Sequence, residues 1–149
     1  MDTAMNIPLL SLLGFTLWTI ILLLATVGVY RWRRIIAGTV PIGRFVSGDD
    51  LGDEWYGRAM RAHANCIENL PVFIALIVAA GWENMSSPLF DWMAALILAA
   101  RIAQSLIHVC FIQTNRVASF RFLFYLIQVL TFLAMTGLLV HGLWRWPMS

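Results

Sequence analysis

The sequence predicts an all-α integral membrane protein, a bundle of four transmembrane helices. Of its 149 residues, 60% are hydrophobic and only 12% are charged, and the mean hydropathy is +0.78. A soluble domain carries about 25% charged residues, so this chain has too little charge to cover a soluble globule. Four apolar stretches are each long enough to cross a bilayer, which takes about 20 residues.

The same composition excludes several other classes of protein. A disordered chain needs low hydrophobicity, and a disulfide-rich secreted module needs more than the two cysteines, Cys66 and Cys110. The net charge of +2 comes from arginines beside apolar runs and not from a basic patch, which argues against a nucleic-acid partner. We therefore expect one small domain over residues 1–149, in contact with membrane lipid.

The first predicted helix, residues 7–30, is an uncharged run that arginines follow and do not precede, unlike a signal peptide. A hydrophilic loop over residues 31–61 separates it from the second predicted helix. That helix covers residues 62–81, and its only formal charge is Glu68. A turn over residues 84–88, rich in Asn, Ser and Pro, then leads into the third helix.

The third predicted helix covers residues 90–112, and the fourth covers residues 118–144. Arg101 lies near the middle of the third helix, and Arg121 lies close to the start of the fourth. A charged side chain inside a spanning helix costs about 2.5–3.5 kcal/mol on insertion scales. We therefore expect these arginines to be paired or functional.

The arginines predict the orientation of the helices, because cytoplasmic loops are enriched in them. Those in or beside the first and third loops are Arg31, Arg33, Arg34, Arg44, Arg58, Arg61, Arg116 and Arg121. We expect these loops to be cytoplasmic and both termini to lie outside, in the inner membrane if the source is a bacterium. Only Arg145 follows the last helix. An outer aromatic belt is expected from Trp82, Trp92, Trp144 and Trp146.

Each of the last three helices carries a polar stripe, a set of residues at i, i+4 and i+7 on one helix face. The stripes are Arg61, Asn65 and Glu68; Arg101, Ser105 and His108; and Arg121, Tyr125 and Gln128. Contact with lipid would be unfavourable for such faces, so we expect all three stripes to point into the bundle.

Glu68 and Arg101 are predicted to form a buried ion pair. At 1.5 Å per residue, Glu68 lies about 10 Å inside the cytoplasmic end of its helix, and Arg101 lies about 16 Å from the outer end of its own. The two charges fall at similar depth, and each needs an opposite charge when buried. A purely structural role in the bundle is favoured for this pair over a functional one.

Polar residues near the cytoplasmic side predict a basic pocket open to the cytoplasm. They are Arg31, Arg61, Asn65, His108, Arg121 and Tyr125. Arginine holds carboxylates through paired hydrogen bonds, so the pocket suits a small anion with one or more carboxylates. Arginines at helix ends can instead extend to lipid headgroups, which we expect of Arg33 and Arg34. No metal site is predicted, because His63 and Cys66 lack a second pair of ligands.

Residues 61–71 read Arg-Ala-His-Ala-Asn-Cys-Ile-Glu-Asn-Leu-Pro. This segment resembles the signature R-A-x-x-N-x-x-E of the MAPEG superfamily, the membrane-associated proteins in eicosanoid and glutathione metabolism. The resemblance extends over essentially the whole chain through its length, helix number, long first loop and helix arginines. It implies a homotrimer that binds glutathione between subunits near the cytoplasmic face. Family members conjugate glutathione to electrophiles, reduce lipid hydroperoxides, or isomerise or conjugate eicosanoids.

The resemblance also implies roles for individual residues. Glutathione binding is expected of Arg31, Arg61, Asn65, Glu68, Arg101 and His108, and catalysis of Arg121 and Tyr125. Arg121 would stabilise the glutathione thiolate. Three positions depart from the family pattern. Ala64 stands where some members have a second arginine, His108 where eicosanoid enzymes have a tyrosine, and Phe122 where prostaglandin-forming members have a serine.

Two functional hypotheses follow. The first is a transferase or peroxidase, similar to the microsomal glutathione transferases, that activates the glutathione thiolate against lipophilic electrophiles or hydroperoxides from the bilayer. The second is a non-catalytic membrane scaffold, or a carboxylate-binding protein, that keeps the fold, and the three departures favour it. A channel is less favoured, because the outer helix halves beyond Glu68 and Gln128 are almost wholly apolar.

Overall fold

The computed structural model describes residues 6–45 and 53–144, and every regular element in these two segments is helical. The four long helices are α1 (Ile7–Ile36), α2 (Glu54–Trp82), α3 (Pro88–Cys110) and α4 (Asn115–Trp144), with a 3-10 turn at Ile42–Arg44. All four long helices are long and apolar enough to cross a membrane, which confirms the predicted all-α membrane bundle.

Helix α1 is continuous and runs beyond its predicted end near Tyr30. It begins after Asn6, whose Oδ1 accepts a hydrogen bond from the N–H of Leu9 at 3.0 Å. A π-helical stretch at Leu23–Gly28 lies within it. The left-handed φ of +67° at Gly38 then turns the chain away from the helix. The arginines after Tyr30 therefore mark the end of the apolar run and not the end of the helix, because arginine is a good helix former.

Helix α2 begins at Glu54, well before the predicted start at residue 62. The Asp53 carboxylate caps it by accepting hydrogen bonds from the backbone N–H groups of Trp55 and Tyr56 at 3.0 and 3.1 Å. Tyr56 and Ala59 are fully buried in a small core cluster at this end of the bundle. The hydrophilic loop is correspondingly shorter than the sequence predicts.

Helices α2 and α3 each pack against the other three helices, and the contacts of α3 are the more extensive. Gly14 permits the close approach of α1, because a Cβ at this position would lie 2.9 Å from Cδ2 of Leu98 on α3. In the core, the ring centroid of Phe73 lies 5.7 Å from that of Phe15 and 6.1 Å from that of Phe132. Lipid tails are as apolar as these side chains, so close van der Waals contacts stabilise the packing.

The proposed aromatic belt is partly visible. Trp82 and Trp92, at the end where α2 passes into α3, are 87% and 75% exposed. Arg145, Trp146 and the side chain of Trp144 lie outside the described part of the structure. The direction of the bundle across the membrane remains a prediction from the arginines.

Candidate functional site

Three predicted site residues meet through hydrogen bonds, one each from α2, α3 and α4. The ring of His108 lies between the other two. Its Nε2 is 3.3 Å from Nδ2 of Asn65, and its Nδ1 is 3.1 Å from Nη1 of Arg121. His108 is only 7% exposed, whereas Asn65 and Arg121 are half-buried. The tertiary structure thus brings together residues that are far apart in sequence.

These contacts assign the protonation of the histidine. A guanidinium only donates hydrogen bonds, so Nδ1 of His108 must accept the one from Arg121. The proton of the neutral ring then resides on Nε2, which donates to Asn65. This donation requires the Asn65 amide to turn its oxygen to the ring in place of Nδ2, and an amide oxygen and nitrogen exchange places by a simple rotation. Asn65 therefore orients His108, and His108 in turn orients Arg121.

A second, deeper network joins α3 to α4 through Gln104. Its Oε1 accepts hydrogen bonds from Nη1 of Arg101 at 3.0 Å and from Nε2 of Gln128 at 3.1 Å. Its Nε2 donates to the backbone carbonyl of Arg121 at 3.0 Å. Gln104 is 4% exposed, and Arg101 is 1% exposed. The network therefore connects the buried arginine of α3 to the backbone that carries Arg121.

Sequence reasoning missed Gln104. It follows Arg101 by three residues, on the same face of α3, which is a spacing that side chains on one helix share. The predicted stripes include only positions i, i+4 and i+7, so they leave out i+3. A search for amides three residues from a buried arginine would have found this position.

The three polar stripes do not all point into the bundle as predicted. The stripe of α3 is buried. The stripe of α2 is divided, because Asn65 is half-buried against His108 whereas Arg61 and Glu68 are exposed. The stripe of α4 is also divided, because Gln128 is fully buried whereas Tyr125 is 47% exposed. Spacing tells which residues share a helix face, but not which neighbour covers that face.

The predicted ion pair between Glu68 and Arg101 is wrong. Within residues 6–45 and 53–144, the acidic side chains in ion pairs are those of Asp53 and Glu54. Glu68 follows the fully buried Cys66 by two residues, which rotates it roughly 200° around α2, away from the core. Equal depth in the membrane was therefore not sufficient to bring the two charges together.

Arg31 belongs to a neighbouring cluster. It makes no hydrogen bond to Asn65, His108 or Arg121, which together are called the His108 group. Its Nε donates to the hydroxyl of Tyr56, and its Nη2 lies 3.8 Å from Sδ of Met60. Met60 precedes Arg61 on α2, so Arg31 reaches the same end of the bundle as the predicted pocket. Tyr56 was missed because its segment was assigned to the first loop.

The resulting surface is basic and open at the side of the bundle. Arg61 is exposed, and half-buried Arg121 lies at the same end of the bundle, connected to α2 through His108 and Asn65. Exposed Glu68 and Tyr125 supply a carboxylate and a hydroxyl on the same two helices. The described residues hold no group of three or more potential metal ligands. Such a surface can bind an anionic ligand that also carries a positive group.

Comparison with known proteins gives one match. The model of the MAPEG family matches residues 9–141. No curated protein and no solved structure matches the chain significantly. The family match covers all four helices and every residue of the predicted site.

Proposed function

The chain belongs to the MAPEG family, and on this premise we propose that it is a glutathione-dependent membrane enzyme, a transferase or peroxidase. At the level of the family, membership supports a glutathione-related transferase or eicosanoid-type function in a membrane. The lipophilic electrophile or hydroperoxide would reach the site from the bilayer. The observation that carries this proposal is Arg121, held at a basic, partly open surface by the ring of His108.

The residues at this surface fit glutathione, which has two carboxylates, one amine and one thiol. Arg61 would hold one carboxylate through charge-assisted hydrogen bonds, and Arg31, in the neighbouring cluster with Tyr56, would hold the other. Glu68 is exposed and makes no ion pair within the described part of the chain, so its carboxylate is free to meet the amine. Asn65 would face the same ligand while it orients His108.

Arg101 and His108 are not proposed to contact glutathione, although the family resemblance implies that they do. Arg101 is 1% exposed and His108 is 7% exposed, so neither presents its side chain to a ligand on the surface. We assign both to positioning. His108 acts through its hydrogen bond to Arg121, and Arg101 acts through Gln104.

The chemistry expected at the site is activation of a thiol. Glutathione would supply a thiolate for attack on an electrophile, and a free thiol has a pKa near 8.5 that adjacent positive charge lowers. Arg121 would provide that charge and hold it near the sulfur. Tyr125 lies one helical turn further along α4, and its half-exposed hydroxyl would donate a hydrogen bond to the same developing charge.

A homotrimer would complete the site. Exposed Arg61, Glu68 and Tyr125 lie within helices long enough to span the membrane. Charged and polar groups facing lipid are costly, so these faces need protein or ligand to cover them. A second copy of the chain on this surface would supply that cover, in agreement with the trimer that the resemblance implies.

A second candidate function is a non-catalytic scaffold or carboxylate-binding protein of the same fold. It is favoured by exposed Ala64, which offers no second arginine beside Asn65. Phe122, next to Arg121, is 64% exposed and offers no hydroxyl. These positions reduce the polar groups around a bound ligand but leave Arg61 and Arg121 in place.

Titration calorimetry of the detergent-purified protein with glutathione tests the proposal. We expect the wild type to bind, and Arg61→Ala to bind roughly 10- to 100-fold more weakly, because a charge-assisted hydrogen bond is worth about 1.5–3 kcal/mol. Arg116→Ala is the matched control, since Arg116 is exposed near the start of α4 and outside the site. Properly assembled protein that gives no heat with glutathione would favour the scaffold.

We propose that the first and third loops face the cytoplasm, and labelling tests this orientation. The background is Cys110→Ser, because Cys110 is exposed and Cys66 is buried. An impermeant maleimide added from outside should label Ser86→Cys, in the α2–α3 turn, and should not label Gly43→Cys, in the first loop. The opposite labelling pattern would invert the topology.

A further inference from the structure

A basic cleft lies at the end of α1, apart from the proposed glutathione site. It has a volume of about 400 Å³. Its polar and aromatic lining comes from Tyr30, Arg33, Arg34, Thr39 and Trp55. None of these residues belongs to the His108 group or contacts Arg31 through a hydrogen bond. The cleft therefore needs its own explanation.

The cleft is held by several fixed contacts. The guanidinium carbon of Arg34 lies 4.7 Å from the ring centroid of Tyr30, and its Nη2 lies 3.8 Å from Oδ2 of Asp53. The N–H of Thr39 bonds to the carbonyl of Arg34, and the N–H of Gly38 bonds to that of Ile35. This hydrogen-bond pair is a Schellman motif, which fixes the chain where it leaves the helix.

Among the described residues, the charge balance in the cleft favours an anion. Arg33 and Arg34 both line it, and the carboxylate of Asp53 pairs with Arg34. One oxygen of Asp53 is already occupied by two backbone N–H groups at the start of α2. The neighbouring Glu54 lies 3.9 Å from Arg58, and so is partly neutralised. Arg33 is exposed and forms no ion pair within residues 6–45 and 53–144.

The cleft lies where a membrane surface would be. The uncharged run of α1 ends at Tyr30, and the arginines begin in the next turn. Tyrosine and tryptophan prefer the membrane–water interface, where one end of the side chain is apolar and the other is hydrated. Val29 and Ala37 give the cleft an apolar wall on α1. A ligand with an anionic head and an apolar tail matches this arrangement.

We propose that this cleft binds the phosphate group of an anionic phospholipid. Arg33 and Arg34 donate hydrogen bonds to the phosphate oxygens, and the acyl chains lie along the apolar surface of α1. An arginine that merely extends to the headgroup region would interact with many kinds of lipid. Two arginines beside Trp55 in a fixed cleft would instead prefer a lipid with an anionic headgroup. The lipid site is independent of the glutathione site.

Native mass spectrometry of the full chain in neutral detergent tests the proposal by measuring the Kd of the first bound phosphatidylglycerol. From the usual contribution of a basic residue near an anionic surface, Arg33→Gln should weaken binding about 5-fold, and Arg33→Gln with Arg34→Gln about 20-fold. Arg44→Gln is the matched control, since Arg44 is exposed in the loop that follows α1 but does not line the cleft. It should bind the lipid like the wild type.

Two further arms distinguish the source of the phosphate. Phosphatidylcholine should bind at least 5-fold more weakly than phosphatidylglycerol, and millimolar inorganic phosphate should not displace the lipid. Equal affinity of Arg33→Gln and the wild type would overturn the proposal, as would equal affinity for the two lipids. Displacement by inorganic phosphate would also overturn it, in favour of a free phosphate site. Arg33→Gln breaks no hydrogen bond or ion pair of the described residues, so folding should not obscure the result.

Discussion

Replacing Arg121 with methionine is expected to lower kcat for the conjugation of glutathione to a nitro-aromatic halide by about 100-fold or more. Loss of one preorganised donor at a developing negative charge typically costs a factor of 10²–10³ in kcat. Methionine keeps most of the length of the side chain, so packing against α3 is largely retained. The His108 ring also loses the partner of its Nδ1, at 3.1 Å. Steady-state kinetics on detergent-purified protein measures the effect.

The matched control for this variant is Arg116→Met, on the same helix. Arg116 is exposed and forms no ion pair within the described residues, so its loss should leave kcat within about twofold of the wild type. Calorimetry measures glutathione binding separately from the chemical step. We expect Arg121→Met to lose more in kcat than in glutathione affinity. Turnover by Arg121→Met equal to that of Arg116→Met would remove Arg121 from the mechanism.

Replacing Gln104 with leucine is expected to destabilise the bundle by at least about 1.5–3 kcal/mol, the usual contribution of a hydrogen bond to a charged group. Arg101 would lose its hydrogen bond at 3.0 Å, and Nε2 of Gln128 would lose its bond to the same oxygen. The carbonyl of Arg121 would lose a donor as well. Thermal unfolding in detergent, followed by circular dichroism, should show a clearly lower midpoint.

Gln104→Glu is the informative companion of that substitution. A carboxylate keeps both acceptor bonds and adds a negative charge beside Arg101, while the bond to the Arg121 carbonyl is replaced by an unfavourable contact between two oxygens. We expect the glutamate variant to unfold at a higher temperature than the leucine variant. If both variants unfold together with the wild type, then Gln104 does not hold Arg101, and the buried network contributes little to stability.

The sequence predicted the number, type and approximate positions of the helices because the length of an apolar run is a local property. A run of about 20 apolar residues must form a helix in lipid, whatever its neighbours are. The ends of the helices were predicted less well. The start of α2 at Glu54 depends on the Asp53 cap and on burial of Tyr56 against α1, and neither contributes to hydropathy.

The candidate site was predicted in part. Asn65, His108 and Arg121 were named from spacing and from the family resemblance, and the structure brings them together. The pairing of Glu68 with Arg101 was wrong, because depth along a helix does not fix rotation about its axis. Gln104 was missed, because its importance comes from partners on α4 and from the backbone of Arg121.

The sequence by itself determined that this protein is a four-helix membrane bundle of the MAPEG type. The length of each apolar run and the motif on α2 are both local features, which consecutive residues define. Only the tertiary structure decided which polar faces are inside. Arg101 is buried and donates a hydrogen bond to Gln104. Glu68 is exposed, and its carboxylate is available to a ligand or a neighbouring subunit. The physical reason is that burial depends on how the helices rotate against one another, and packing around α3 sets those rotations.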